Sequence, residues 1–252
     1  MNSSVKVLVC LRFEAKVLKS LFEAASFLDG EARFTVSRDG VELRFLDAAN
    51  VALFNASVNV SEFADIVAPE EPVEFNLKLL DFSTFFKRVP ADAVVVFAER
   101  ERSLAAEVCL PGVVREQFIP LYEFSLPKTN LPSFETSASA ALPLATFALL
   151  FEIEAQSMRF RAAPASFAVD GMDRGDVTAS STVSASEDLV VEGSAVSKYG
   201  GEYCSKVVKV LQKFAAGDRV VVKFAKDYPA RFVGESKSRR VEVVLAPRVD
   251  NE

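Results

Sequence analysis

VPADAVVVFA (Val89–Ala98) returns as AGDRVVVKFA (Ala216–Ala225) near the other end of the chain. Asp92 and Asp218 hold matching places in the two copies and lie 126 residues apart, half of the 252-residue length. In each copy, a segment with helical spacing leads into a turn, and a β-branched run that is typical of a buried strand follows. The chain is therefore expected to contain one structural unit twice.

The segments around these corners extend the repeat. Strict alternation in EARFTVS (Glu31–Ser37) predicts a strand with Ala32, Phe34 and Val36 inward. Apolar residues at helical spacing predict four helices, over Phe13–Leu28, Phe75–Val89, Pro143–Gln156 and Gly200–Phe214. Each half thus reads as helix, strands, helix, strands, which predicts an α+β fold of two duplicated domains. The predicted domains are residues 1–123 and 135–252, joined by an apolar, proline-containing linker over residues 124–134.

Composition excludes several classes of protein. The chain has no histidine, which removes His-based catalytic triads and His metal ligands, and it has no P-loop or GxGxxG motif. The three scattered cysteines predict reduced thiols in a reducing compartment. No apolar run is long enough for a membrane helix. The stretch DGMDRGD (Asp170–Asp176) departs from the calcium-loop spacing and predicts a hairpin turn, so no metal and no cofactor are expected.

The positions of the basic residues are more informative about function than the net charge of −6. They recur opposite the apolar stripe, or in the last turn, of three of the four predicted helices. On a single helix, basic residues in these positions are explained by the exposure of its outer face to solvent. Three basic faces at matching places of a duplicated acidic chain indicate a shared role. The residues are Lys16, Lys19, Lys78, Lys87, Arg88, Lys206, Lys209 and Lys213.

Several blocks of the chain resemble the sliding clamps of the proliferating cell nuclear antigen (PCNA) type, archaeal clamps in particular. They are DGVELRFLDAANVALF (Asp39–Phe54), FIPLYEFSLPKTNLPSF (Phe118–Phe134), SKYGGEYCSKVV (Ser197–Val208) and VVLAPRV (Val243–Val249). The resemblance implies a DNA-clamp fold whose subunits close head to tail into a trimeric ring. Its helices would line a hole for duplex DNA, and the eight basic residues above would face that DNA without reading its sequence.

The resemblance also implies a role as a processivity factor in DNA replication and repair, without catalysis. The expected partners are DNA polymerase, flap nuclease, ligase and a clamp loader, and the expected location is the cytoplasm or nucleoid of an archaeon or the nucleus of a eukaryote. Clients would insert a peptide into a hydrophobic groove. By matching position, the groove comprises Leu46, Val51, Leu53, Leu126, Leu131, Pro132, Pro229, Ala246, Pro247 and Val249.

Subunit contacts are expected where Glu107–Phe118 of one subunit pairs with Gly175–Val183 of the next. The interface residues carried over by position are Cys109, Val113, Arg115, Val177, Ala179 and Ser181. The predicted third helix departs from the family, because it has no Lys or Arg and carries Glu152 and Glu154. This departure fits either a specialised subunit of a hetero-ring or simple tolerance, so homotrimer and heterotrimer both stay open.

Two other functions remain compatible with the sequence. A checkpoint-type clamp subunit would share the fold but suit a less symmetrical set of partners. A duplicated α+β enzyme would use carboxylates, and it predicts paired acidic residues that converge in a pocket. The clamp predicts basic helix faces together with an exposed apolar groove, which the sequence pattern favours.

Overall fold

The protein is described by a computed structural model that covers residues 9–100, 102–123, 135–184, 186, 188–214 and 216–248. It divides into two compact units, one within Met1–Ala48 and Asn55–Thr129, the other within Ala49–Phe54 and Asn130–Glu252. The sequence-based division placed Ala49–Phe54 in the first domain, whereas the structure groups this short segment with the second unit.

The first unit has two helices on two antiparallel sheets. The helices are α1 (Ala15–Ala25) and α2 (Leu79–Lys87). The strands are β1 (Cys10–Glu14), β2 (Glu31–Ser37), β3 (Gly40–Leu46), β4 (Ala52–Asn59, shared with the second unit), β5 (Asp65–Val67), β6 (Val73–Lys78), β7 (Val94–Arg100), β8 (Ser103–Leu110) and β9 (Val113–Pro120). One sheet has the order β5-β1-β7-β8-β9, and the other has the order β4-β3-β2-β6.

The second unit repeats this arrangement. Its helices are α3 (Leu144–Leu150) and α4 (Gly201–Phe214). Its strands are β10 (Ala138–Pro143), β11 (Ser157–Ala163), β12 (Ser166–Asp173), β13 (Asp176–Ser184), β14 (Val190–Gly193), β15 (Ala195–Gly200), β16 (Arg219–Phe224), β17 (Ala230–Glu235) and β18 (Arg239–Leu245). The sheet orders are β14-β10-β16-β17-β18 and β13-β12-β11-β15.

The predicted duplication is confirmed strand by strand. Adding nine to each strand number of the first unit gives the sheet orders of the second unit. The two copies of the opening motif fall at equivalent places, since each ends in the strand that follows the second helix of its unit, β7 or β16. The hairpin predicted at DGMDRGD is also confirmed, because Arg174 and Gly175 join β12 to β13 with positive φ angles of 51° and 93°.

Phenylalanine builds the core of each unit. In the first unit, the ring of Phe22 on α1 stacks on Phe82 of α2 with centroids 4.5 Å apart. Phe97 of β7 packs against Phe13 of β1 at 5.1 Å. In the second unit, Phe160 of β11 lies 4.7 Å from the ring of Tyr199. Rings also join helices to sheets, since Phe82 of α2 lies 6.2 Å from Phe97 of β7 and Phe147 of α3 lies 6.0 Å from Phe232 of β17.

All four predicted helices begin too early, and the first three end too late. Phe13 and Glu14 belong to β1, Phe75–Lys78 to β6, Pro143 to β10 and Gly200 to β15. In each case the residues before the helix alternate between buried and exposed, and they pair with a neighbouring strand, as Phe75 does with Phe34. Sheet pairing across the chain thus overrides a local helical pattern. α3 ends at Leu150, so the predicted helix end at Gln156 is six residues too late.

Candidate DNA and partner surfaces

The last helix of the second unit separates a buried face from a basic one. Its buried residues include Cys204, Val207, Val210, Leu211 and Phe214. Lys209 and Lys213 are exposed and lie one turn apart on the opposite side. Lys206 is half-buried, with its Nζ 2.7 Å from the Glu202 carboxylate and 4.8 Å from the centre of the Tyr203 ring. The outward charge of α4 is therefore carried chiefly by Lys209 and Lys213.

The two lysines of α1 serve different purposes. Lys16 is exposed, and its Nζ lies 2.6 Å from the carboxylate of Glu14. Lys19 is half-buried, and its Nζ donates a hydrogen bond of 3.1 Å to the carbonyl of Val89. The Lys19 bond joins α1 to the segment after α2, so this side chain also has a structural role.

The remaining basic residues of the first unit flank α2. Lys78 is the last residue of β6 and not part of a helix, which corrects the predicted helical placement. Its Nζ lies 4.7 Å from the centre of the Tyr122 ring. The Tyr122 hydroxyl donates a hydrogen bond of 2.8 Å to the carboxylate of Asp81. Lys87 and Arg88 are exposed at the end of α2, where a positive charge complements the helix dipole. Sequence reasoning missed the Tyr122–Asp81 pair because its members are 41 residues apart.

α3 has no charged residue at all. Glu152 and Glu154, predicted on this helix, lie after its end at Leu150. The helix instead exposes Ala145 and Leu149, and Leu149 is 62% exposed. Of the two helices of the second unit, only α4 therefore carries basic residues.

Two strands form open edges of their sheets. β9 ends the five-stranded sheet of the first unit, and β13 ends the four-stranded sheet of the second. Val113, Arg115, Val177 and Ala179 are exposed on these edges, and Ser181 is half-buried. Val114 (68% exposed) and Phe118 on β9 are further exposed apolar residues that the position-based prediction did not include.

Cys109 does not lie on an open edge. It belongs to β8, which pairs with β7 on one side and with β9 on the other. The segment Glu107–Phe118, predicted as one strand, is a hairpin that turns at Pro111 and Gly112. Gly112 adopts a φ of 74°, which glycine tolerates readily. The backbone of Cys109 therefore cannot pair with a strand of a neighbouring subunit.

The groove residues are only partly described. Leu46 is half-buried in the first unit, and Val51, Pro229, Ala246 and Pro247 are half-buried in the second. The Val51 carbonyl accepts a 2.9 Å hydrogen bond from the Ala246 N–H. Leu53 is 6% exposed, so it is a core residue and offers little surface to a peptide. Leu126, Leu131, Pro132 and Val249 lie outside the described residues.

Comparison with known proteins places these surfaces in context. No family model matches the chain. The DNA polymerase sliding clamp of Pyrococcus abyssi is 26% identical over 245 residues, covering 94% of this chain and 96% of the relative. The DNA polymerase sliding clamp of Nanoarchaeum equitans is 22% identical over 246 residues, with coverage of 94% and 98%.

Solved structures give the same result for the fold. The structure of PCNA from Entamoeba histolytica matches with a TM-score of 0.83 at 15% identity, covering 96% of this chain and 100% of that one. PCNA from Thermococcus kodakaraensis matches with a TM-score of 0.81 at 20% identity and coverage of 95% and 100%. Over nearly its whole length, the chain is similar to sliding clamps of the PCNA type. The predicted clamp fold is confirmed, and neither the checkpoint-type subunit nor the carboxylate enzyme is favoured.

The four-stranded sheet of the second unit holds a buried carboxylate. Asp170 of β12 accepts hydrogen bonds from Arg159 and Arg161 of β11, at 2.8–3.0 Å, and from the Ser180 hydroxyl of β13 at 2.7 Å. The Arg161 guanidinium in particular holds the pKa of Asp170 well below its usual range, against the opposing effect of burial. The residues sit opposite or diagonally across the strands. The cluster therefore joins three strands next to the β13 edge.

Replacing Asp170 with asparagine is expected to lower the free energy of unfolding by about 2 kcal/mol at neutral pH, because charge-assisted hydrogen bonds are lost. The folded-state pKa lies below the unfolded one, so this stabilisation is complete above the unfolded value of about 4. It is lost as the pH falls through the folded pKa. Denaturant unfolding at a series of pH values and one protein concentration measures the difference.

The control for this prediction is Asp218→Asn, which changes an exposed aspartate and should alter stability little at any pH. An Asp170→Asn penalty that stayed constant down to strongly acidic pH would contradict the role of the ionised carboxylate.

Neither a metal site nor a membrane helix is found in the described part of the chain. Among the described residues, no group of three or more Cys, Asp or Glu side chains is arranged to hold a metal ion. No helix in that part of the chain is long and apolar enough to cross a bilayer.

Proposed function

We propose that this chain is a subunit of a closed ring that encircles duplex DNA and tethers replication and repair enzymes to it. The ring performs no chemistry itself. It raises the local concentration of its clients at the DNA. The observation that carries this proposal is the duplicated sheet topology, which leaves β9 and β13 as open edges.

The repeat itself suggests how the edges are used. By the duplication, β9 corresponds to β18 and β13 corresponds to β4. Within the second unit, the segment leading into β4 lies beside the end of β18, as the Val51–Ala246 hydrogen bond indicates. Pairing β9 of one subunit with β13 of the next would repeat that junction. Three two-unit subunits would then close a ring of sixfold pseudosymmetry in which β9 and β13 are no longer open edges.

The proposed DNA contacts are modest, as a sliding ring requires. Lys209 and Lys213 on α4, Lys16 on α1, and Lys87 and Arg88 at the end of α2 are exposed cations on or next to the helices. Lys19 and Lys206 are half-buried against protein partners, so they contribute less. Lys78 is exposed at the end of β6. Each phosphate contact strengthens binding through counterion release, and a small number leaves the ring free to move. α3 would face the DNA with no charged side chain.

The proposed clients are DNA polymerase, flap nuclease, ligase and a clamp loader. They would bind through a peptide with an apolar anchor, in the groove that includes Leu46, Val51, Pro229, Ala246 and Pro247. Both a homotrimer and a heterotrimer with sister subunits remain compatible with the open edges. The proposed location is wherever the chromosomal DNA of the cell lies.

Topological retention on DNA tests the function. The chain is mixed with linear duplex DNA that has cohesive ends, the DNA is ligated into circles, and the circles are isolated in high salt. A ring should remain on closed circles and leave after a single restriction cut, because screening removes phosphate contacts but not linkage. Equal retention on circular and linear DNA, or no retention even with sister subunits, would contradict the proposal.

A further inference from the structure

An unbroken apolar row crosses the five-stranded sheet of the first unit. Each strand contributes one residue, and the strand register places these residues side by side in the order β5-β1-β7-β8-β9. The apolar row consists of Val67, Cys10, Ala98, Ala105 and Phe118. Since neighbouring strands lie about 4.8 Å apart, the row is on the order of 19 Å long. This length matches about three turns of an α-helix.

The apolar row lies on the face of the sheet opposite the helices. Phe97 of β7 points to the helix side, because its ring lies 6.2 Å from the ring of Phe82 on α2. Alternation along a strand directs the next residue, Ala98, to the other face, and the residues paired directly with it point the same way. Strand pairing at β9 uses backbone groups at the edge of the sheet. Ring closure would therefore leave this face uncovered.

The row is exposed at its two ends and lower at its centre. Val67 is 51% exposed and Phe118 is 58% exposed. Between them, Cys10 and Ala98 are half-buried and Ala105 is buried. Small central side chains between two larger ones leave a shallow apolar depression. Contiguous exposed apolar surface of this kind is typical of an interaction site.

An acidic row runs beside the apolar row on the same face. Its charged members are Asp65, Glu107 and Glu116, with Arg12 as the single base. Glu107 and Glu116 are exposed and directly opposite each other, and neither forms an ion pair with a described residue. Like charges at opposed positions repel, so a cation beside them is favoured. The pKa of the Cys10 thiol is raised by burial and further by the charges of Asp65 and Glu107, so this acidic field reaches the apolar row.

The other flank of the apolar row has the opposite charge. Arg100, Ser103 and Pro120 lie there in register, and Arg100 is exposed. The two flanks therefore differ, and they would orient a bound segment with its basic side toward Glu107 and Glu116.

The internal repeat indicates that the occupant is a peptide. Ala98 ends the first copy of the repeated motif, and Ala225 ends the second copy. Ala225 follows β16, Pro229 precedes β17 and Ala246 follows β18, and these strands correspond to β7, β8 and β9. Pro229 and Ala246 belong to the proposed client groove. The first unit thus has its apolar row at the position where the second unit would contact a client peptide.

We propose that the apolar row docks an amphipathic helix of a partner protein, with Lys or Arg along one side of its apolar stripe. Apolar residues at three-and-four spacing would fill the central depression, and the cations would lie beside Glu107 and Glu116. This inference rests on the proposed function in taking the partners to be proteins that the clamp recruits. It adds a docking site in the first unit, separate from Pro229 and Ala246.

A display library of random 16-residue peptides, selected on the full chain, tests the proposal. Fluorescence anisotropy at low salt then measures the affinity of each selected peptide for matched variants. One class, with basic residues beside an apolar stripe, is expected to bind Val67→Asn about tenfold more weakly, because one end of the apolar row is lost. The control is Val190→Asn, which changes a valine of 50% exposure on β14, the counterpart of β5. It should leave this class unaffected.

A second pair of variants tests the charge of the site. Glu107→Gln/Glu116→Gln should weaken the same class about fivefold, the size of one or two exposed ion pairs. Glu152→Gln/Glu154→Gln removes two exposed carboxylates from the second unit and should change nothing. Circular dichroism should show that all four variants are folded.

Each other outcome has a definite meaning. If no selected peptide distinguishes Val67→Asn from Val190→Asn, the apolar row is not a docking site. Equal affinity for the two glutamine variants would overturn the basic flank of the partner. Self-association beyond three subunits that Val67→Asn abolishes would make the row a contact between copies and overturn the partner proposal. Retention on circular DNA is independent of these results, so its failure alone would count against the clamp function.

Discussion

Replacing Val113 and Val114 together with glutamate is expected to convert the proposed trimer into monomers. Both side chains are exposed on the open edge of β9, and in the ring they would meet β13 of the neighbouring subunit. Each interface would then bury two carboxylates without partners, and β13 supplies no basic residue to pair with them. The association constant should fall by on the order of a hundredfold or more per interface.

Native mass spectrometry measures this effect directly, since the unchanged chain should give three times 27.5 kDa by itself, or a complex of three chains when sister subunits are added. The control is Val67→Glu on β5, a similarly exposed valine on a different edge strand, which should leave the trimer intact. Circular dichroism should show both variants folded. A trimer that survived the Val113→Glu/Val114→Glu change would remove β9 from the interface.

Replacing Phe22 with alanine is expected to lower the free energy of unfolding by about 3–5 kcal/mol. The ring is fully buried and lies 4.5 Å from Phe82, 5.5 Å from Phe86 and 5.8 Å from Phe34, measured between ring centroids. The substitution leaves a cavity between α1, α2 and the sheet that these large rings cannot readily fill. Denaturant unfolding at a fixed protein concentration gives the difference, because oligomerisation also contributes to stability.

Phe27→Ala serves as the matched control, because Phe27 is a partly exposed phenylalanine just after α1. Its loss should cost less than about 1 kcal/mol. Similar losses for Phe22→Ala and Phe27→Ala would mean that the stacked rings are not the main link between the helices and the sheet of the first unit.

The candidate surfaces differ in how well the sequence pattern predicts them. Lys209 and Lys213 are predictable because three-and-four spacing places them opposite the buried stripe of one continuous helix. The Asp170 cluster is less predictable, because its members lie on three strands. The hairpin predicted at Arg174–Gly175 brings Ser180 opposite Asp170, whereas Arg159 lies opposite Asp170 only through the pairing of β11 with β12.

The sequence by itself determined the duplication, the α+β class and the strand at Glu31–Ser37, because these depend on periodicities within short segments. The tertiary structure alone decided where helices begin, since Phe75–Lys78 pairs with β2 although its pattern continues into a helix. It also decided that β9 is an open edge while Cys109 on β8 is not. Edges and helix starts depend on which strand lies alongside, and that partner is set by residues far away in the chain.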